Sequence, residues 1–158
     1  MPFHMMPLIP EKKMKADKEK LMNIAIVYDT RTGTTARAAQ EMGKVLEDLD
    51  HQCQVQYIGQ AKPADVSKSD LICVGSWVQG LFIIGQHPTE GTMEFIERLE
   101  NIAGKQTIVF CTYKLASGST LRQMANALEG KGAKILGQFK FRGPEPNNKF
   151  SSFARSLT

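Results

Sequence analysis

Apolar and polar positions along the chain repeat with two different periods. Ile24–Tyr28, Leu71–Val74 and Thr107–Phe110 are near-continuous apolar runs, the pattern of central strands covered on both faces. QCQVQYI (52–58) alternates instead, with Cys53, Val55 and Tyr57 against Gln52, Gln54 and Gln56. ILGQFKF (135–141) does the same, with Phe139 and Phe141 against Gln138 and Lys140. Strict alternation leaves one face half exposed, which suits the edges of a sheet. Between these strands run stripes with a spacing of three and four: Ala39, Met42, Leu46 and Leu49, then Leu121, Met124, Ala125 and Leu128, then Phe150, Phe153, Ala154 and Leu157. Such stripes predict amphipathic helices. Phe95, Ile96 and Leu99 predict another before the fourth strand, whereas GQAKPADVSKS (59–69) has room for only a turn or two. Gly104, Gly130 and Gly132 fall where helices stop.

Alternating strands and helices predict an α/β fold, a doubly wound parallel sheet with right-handed crossovers and helices on both faces. Two alternating edge strands, the second and the fifth, select the order 2-1-3-4-5 for its five strands. That order has its switch point between strands one and three, where ligands bind at the carboxyl ends. The loops after strands one, three and four are therefore expected to share one site.

Composition narrows the class. At 158 residues, 42% of them hydrophobic and 23% charged, the chain has a one-domain length and an ordinary globular balance. No apolar run approaches the roughly 18 residues of a membrane span. The opening MPFHMMPLIP has three prolines and no lysine or arginine before its apolar part, a poor match to a signal peptide. Cys53, Cys73 and Cys111 are odd in number, far apart and inside apolar runs. They read as small buried hydrophobes in a reducing, cytoplasmic setting. The net charge of +4 sits at the two ends: residues 1–22 carry +2 and residues 131–158 carry +5, against −3 for residues 23–130. A nucleic-acid binder concentrates its basic groups with interleaved aromatics on one element, so no nucleic-acid partner is expected. Residues 1–21 read as an N-terminal extension and 22–158 as the domain.

One stretch carries chemistry. TRTGTT (30–35) packs four hydroxyls, a glycine and an arginine between the first strand and the first helix. Free backbone N–H groups and the positive end of the helix dipole meet there and make an anion site. Gly33 lets the backbone approach closely, and the hydroxyls of Thr30, Thr32, Thr34 and Thr35 donate without adding charge. A single helix cap needs only one of them. Neither G-x-x-x-x-G-K-[ST] nor G-x-G-x-x-G is present, which argues against a nucleotide triphosphatase and a Rossmann dinucleotide site. A receiver domain needs clustered acids after strand one, and only Asp29 stands there.

The run IVYDTRTGTTARAAQEM resembles the FMN-phosphate signature of the flavodoxins. Ile26, Val27 and Tyr28 match its strand end, Thr30, Thr32, Gly33 and Thr35 its T-x-T-G-x-T loop, and Ala39 its helix alanine, while Met42 replaces an aliphatic residue. The resemblance implies FMN as cofactor and extends in element order over about residues 22–158. It also implies that Trp77, within Ser76, Trp77, Val78, Gln79 and Gly80 after strand three, stacks on the isoalloxazine. The other reading of Trp77 is core packing. Gly80 would supply backbone freedom near flavin N5. After strand four, Tyr113 is the candidate for the opposite ring face, with Thr112 and Lys114 as polar contacts; an ordinary surface aromatic is the competing reading. The family's acidic surroundings are missing there. The fifth strand runs uninterrupted into GPEPNN, as in the short-chain class.

His4, His51 and His87 lie far apart, with neither metal-ligand spacing nor a neighbouring nucleophile. No catalytic residue is therefore expected, and the cofactor does the chemistry. The resemblance implies a carrier passing electrons between redox partner proteins, a reductase and an acceptor. The alternative is a small NAD(P)H-dependent FMN reductase, for which FIIGQHPTEG (82–91) is the candidate lid.

Overall fold

Two apolar clusters, one on each side of a single sheet, account for the arrangement of the elements. In a computed structural model, which describes residues 21–81 and 84–157, the first strand β1 (Asn23–Tyr28) buries Ile24 and Ile26 on one face and Ala25 and Val27 on the other. The third strand β3 (Leu71–Trp77) repeats this with Leu71 and Cys73 against Ile72 and Val74. So does β6 (Gln106–Thr112), with Ile108 and Phe110 against Val109. Burial on both faces is what their continuous apolar runs predict.

The edges are β2 (Gln52–Tyr57) and β7 (Lys134–Phe141), whose burial alternates along the strand. The five-stranded sheet has the order β2-β1-β3-β6-β7 with every pairing parallel. Renumbered without the two strands of a separate hairpin, this is the predicted 2-1-3-4-5. Helices α1 (Thr34–Glu47) and α5 (Asn148–Ser156) cover one face through Ala38, Ala39, Met42, Leu46, Phe150 and Ala154. Helices α2 (Pro63–Val66), α3 (Glu90–Arg98) and α4 (Thr120–Glu129) cover the other. Phe139 of β7 meets Phe150 edge-on at 5.4 Å and Phe153 at 5.2 Å, which fastens the C-terminal helix to the edge strand.

The segment after β3 differs from expectation. Instead of an open loop it forms an antiparallel hairpin of β4 (Gln79–Leu81) and β5 (Ile84–His87). Two residues of the expected lid, Phe82 and Ile83, and all of the expected extension but Leu21, lie outside the described residues. Among the described residues, no helix is long and apolar enough to cross a membrane.

The histidine that follows α1 is drawn into the interior. His51 is only 3% exposed, and its Nδ1 accepts the N–H of Met22 at 3.0 Å. Burial holds its pKa below 6.5. It is a neutral packing residue that ties the start of β1 to the end of α1. The three thiols are free. Burial raises Cys53 and Cys111 to about 12 and Cys73 well above the usual thiol range, so none is a poised thiolate.

Candidate functional site

The carboxyl ends of β1, β3, β6 and β7 open onto one cavity of about 430 Å³, within the size range of small-molecule sites. Its walls are built from the loops after β1, β3 and β6, completed by Gln86 of β5 and the residues after β7.

In the loop after β1, the chain turns into α1 through Gly33, whose φ of 94° lies in the left-handed region. A side chain there would be strained even though the space beside it is open. Thr30 Oγ1 accepts from the N–H of Gly33 at 3.1 Å and from that of Ala36 at 3.4 Å, so this hydroxyl holds the loop closed. Thr35 is 1% exposed, and its Oγ1 lies 2.6 Å from Thr112 Oγ1. That pair ties the first turn of α1 to the end of β6. Thr32 and Thr34, with hydroxyls 3.5 Å apart on the open side, are left to meet a ligand. The first-turn N–H groups of α1 have no acceptor within the helix. The four hydroxyls thus divide into two that shape the loop and two that face outward.

In the segment after β3, Trp77 is the last residue of the strand rather than part of a loop, paired with Thr112. The extra length follows from Gly75: a Cβ there would meet the Phe110 ring at 2.1 Å, so only glycine lets β3 continue beside β6. Ser76 is fully buried, donates to Trp77 O at 2.7 Å and accepts from Thr89 N–H at 3.1 Å. Thr89 in turn caps α3 by accepting from Thr92 N–H, and its hydroxyl donates to Asp29 Oδ2 at 2.5 Å. With that proton committed, the 2.7 Å contact between the Thr89 and Thr92 hydroxyls has Thr92 as donor. The network braces Trp77 from behind; Ser76 does not line the cavity. Arg31 reaches across from the first loop, its guanidinium carbon 5.6 Å from the Trp77 ring centroid. Gly80, at φ 144°, would place a Cβ 2.9 Å from Gln86 Cα, so a close backbone approach explains the glycine.

The loop after β6 starts at Thr112, whose carbonyl accepts from Val78 N–H at 3.2 Å. Tyr113 N–H donates to Phe141 O at 3.0 Å. The Tyr113 ring has Lys140 Nζ at 5.9 Å and the Arg142 guanidinium at 5.6 Å from its centroid. The lining joins Thr30, Arg31, Thr32, Thr34, Thr35, Trp77, Val78, Gln79, Gly80, Thr112, Tyr113 and Lys114. Of the residues singled out in the sequence, Gly33 and Ser76 are not in the lining, and each acts through the backbone or a neighbour. The sequence reading missed Gln86, Leu115 and Ala116, and also Arg142, Gly143 and Pro144 beyond β7. The last three had a signal: in the order 2-1-3-4-5, the fifth strand ends beside the fourth. No three His, Cys, Asp or Glu side chains cluster as a metal site among the described residues.

A helix N-terminus with outward hydroxyls, joined to an aromatic-walled slot, fits a phosphorylated, planar cofactor. The chain matches the flavodoxin domain model over residues 25–155, and it belongs to that family. FMN is accordingly its cofactor. Among solved structures it is similar to a short-chain flavodoxin associated with a PDU bacterial microcompartment, at 20% identity over 87% of this chain and 97% of the other, TM-score 0.72. It is similar to the two-electron reduced Megasphaera elsdenii flavodoxin at 20% identity, over 85% and 97%, TM-score 0.71. It also resembles the rubredoxin oxygen:oxidoreductase of Desulfovibrio gigas at 15% identity, over 92% of this chain but 37% of that one, TM-score 0.62. At these identities the structures establish the fold alone. No curated protein matches the chain.

Proposed function

We propose that the protein is an electron carrier that holds one FMN non-covalently and exchanges electrons with a reductase and an acceptor protein. The observation that carries this reading is the convergence of the TRTGTT turn, Trp77 and Tyr113 on one 430 Å³ cavity. In it, the N–H groups at the start of α1 and the hydroxyls of Thr32 and Thr34 bind the phosphate. Thr30, Gly33 and Thr35 keep that turn in shape. Trp77 and Tyr113 enclose the ring system and exclude water from its faces, and Ser76 fixes Trp77. Val78, Gln79, Gly80, Thr112 and Lys114 supply backbone and polar contacts along the ring edge. FMN supplies the one- and two-electron chemistry when bound. The domain so used is 22–158. Three free cysteines support a reducing, cytoplasmic location.

A second reading, a small NAD(P)H-dependent FMN reductase, is favoured by one feature: the β4–β5 hairpin follows directly after Trp77, where a nicotinamide pocket would close. The visible spectrum of the purified protein, followed by NADPH alone, tests both. A carrier shows bound flavin and stays oxidised for minutes until a flavoprotein reductase is added. Rapid, saturable bleaching by NADPH alone overturns the carrier reading in favour of the reductase.

A further inference from the structure

We propose that the rim of this cavity on the Tyr113 side is a docking surface for an acidic redox protein; the proposal rests on the FMN reading above. The charge of the rim follows from the alternation in β7. Phe139 and Phe141 point into the core at 3% and 1% exposure, so Lys140 and, two residues later, Arg142 are directed to the opposite side. Both flank Tyr113 within 6 Å of its ring centroid. Lys114 adjoins them, Arg31 faces them across the opening, and all four side chains are exposed. The cavity lining contains Arg31, Lys114 and Arg142 and no aspartate or glutamate.

The opposite side of Trp77 differs. There an adjoining depression is lined by Asp29 and Glu90 against the single cation Arg31, which it shares with the cavity, and Asp29 is already engaged by Thr89. The molecule thus presents a cationic flank at Tyr113 and an anionic one towards α3. Leu115, 64% exposed, stands among the cations as an apolar contact point. Cations around an exposed apolar residue, beside the flavin edge, match a partner whose carboxylates ring its own redox centre. Exposed charges of this kind steer encounter and raise the association rate more than the affinity. A polynucleotide fits less well, because the basic groups surround the cavity mouth instead of forming a track with interleaved aromatics.

The test uses holoprotein and a reduced plant-type ferredoxin, an acidic one-electron donor. Two ferredoxins are oxidised for each flavin fully reduced, with protons taken from solvent. The second-order rate should fall about tenfold or more between about 10 mM and about 200 mM salt. Lys140→Glu/Arg142→Glu should lower the low-salt rate about tenfold and remove most of the salt dependence. Lys131→Glu/Lys134→Glu, at the far end of β7, makes the same change in net charge and should cost less than about threefold. Spectra of all three proteins establish that flavin is retained. A protein that neither carries nor takes up FMN overturns the flavin reading and this proposal together. Retained flavin with a rate that is flat or rising with salt overturns the docking surface alone. So does an equal loss in the two paired variants. Tighter binding of a duplex DNA oligonucleotide than of ferredoxin, lost in the rim variant, replaces the acidic protein with a polynucleotide.

Discussion

Thr35→Val, Thr112→Val and the double variant probe the contact that joins the first turn of α1 to the end of β6. The two hydroxyls lie 2.6 Å apart, with Thr35 1% and Thr112 5% exposed, so little solvent reaches them to replace a missing partner. Valine keeps the shape and removes the hydroxyl. Each single variant leaves one buried hydroxyl without that partner, at a cost of about 1–3 kcal/mol. The double variant removes both groups and should be close to neutral, because no orphan remains. The coupling energy of the cycle is then the sum of the two single losses, about 2–6 kcal/mol in favour of the double. For a chain of this length each kcal/mol moves Tm by about 2–4 °C, a shift that thermal unfolding of the apoprotein resolves. Urea unfolding of the same four proteins supplies the free energies. Two neutral single variants, or losses that simply add in the double, would refute the reasoning, because the hydroxyls would then be independently solvated. Titration with FMN and with riboflavin separates support from contact. A hydroxyl that only positions the turn weakens both flavins together, and one that donates to phosphate weakens FMN alone.

Thr32→Ala removes an outward hydroxyl and should weaken FMN by about 1–3 kcal/mol while leaving riboflavin unchanged, as followed by flavin fluorescence quenching. Trp77→Ala should cost about 1–3 kcal/mol of affinity for both flavins, by analogy with base stacking on aromatics; unchanged binding together with identical tryptophan emission in apo and holo protein reduces Trp77 to packing. Gly75→Ala forces a methyl to within 2.1 Å of the Phe110 ring and should destabilise the fold by about 1–3 kcal/mol or more, read from the urea midpoint. His51 has a native pKa held below 6.5 by burial, so the unfolded chain binds its proton first. Its contribution to stability is complete above pH 6.5 and is lost as pH falls from 6.5 through the native pKa. The stability difference between wild type and His51→Gln should therefore be flat at neutral pH and shrink on acidification; a difference that grows instead refutes a neutral buried imidazole.

The sheet was legible because burial on two faces and burial on one leave different patterns, and β1, β3 and β6 carry the first while β2 and β7 carry the second. The hairpin was not. Residues 79–87 read QGLFIIGQH, an apolar run flanked by glycines, with strands of three and four residues that are too short to display a period. Their pairing depends on Gly80 fitting against the backbone of Gln86 across the hairpin, a close approach that the residue types do not display. Trp77 was expected on a loop because the apolar run ends at Val74, but β3 continues through Gly75 and Ser76 since Phe110 fills the space of the missing side chain. In the turn after β1, residue types point to an anion site, whereas the division of labour among the threonines does not follow from type. It depends on Thr112, 77 residues away from Thr35. The cationic flank of Tyr113 is hidden for a similar reason: Lys140 reads as the polar face of an edge strand and Arg142 as the residue after it, and only the strand order places both beside the end of β6.

Segment 79–87 is also where carrier and reductase diverge. A nicotinamide has to reach the ring face, so a reductase needs this segment to swing away and return. The described part of the hairpin is fixed at several points instead. Gln86 is 7% exposed, packs against Gly80 and Gly118 closely enough to exclude a Cβ at either, and accepts from Gln123 Nε2 at 3.4 Å through its carbonyl. Just beyond the hairpin, Thr89 is held to Ser76 and Asp29. Opening would break contacts to α4 and strip the support from Trp77 in the same motion. The proposed carrier needs no such opening, since Tyr113, Leu115 and Arg142 line the other side of the cavity mouth. The anchoring of Gln86 and Thr89 and the charged rim at Tyr113 are thus both consistent with the carrier reading proposed above.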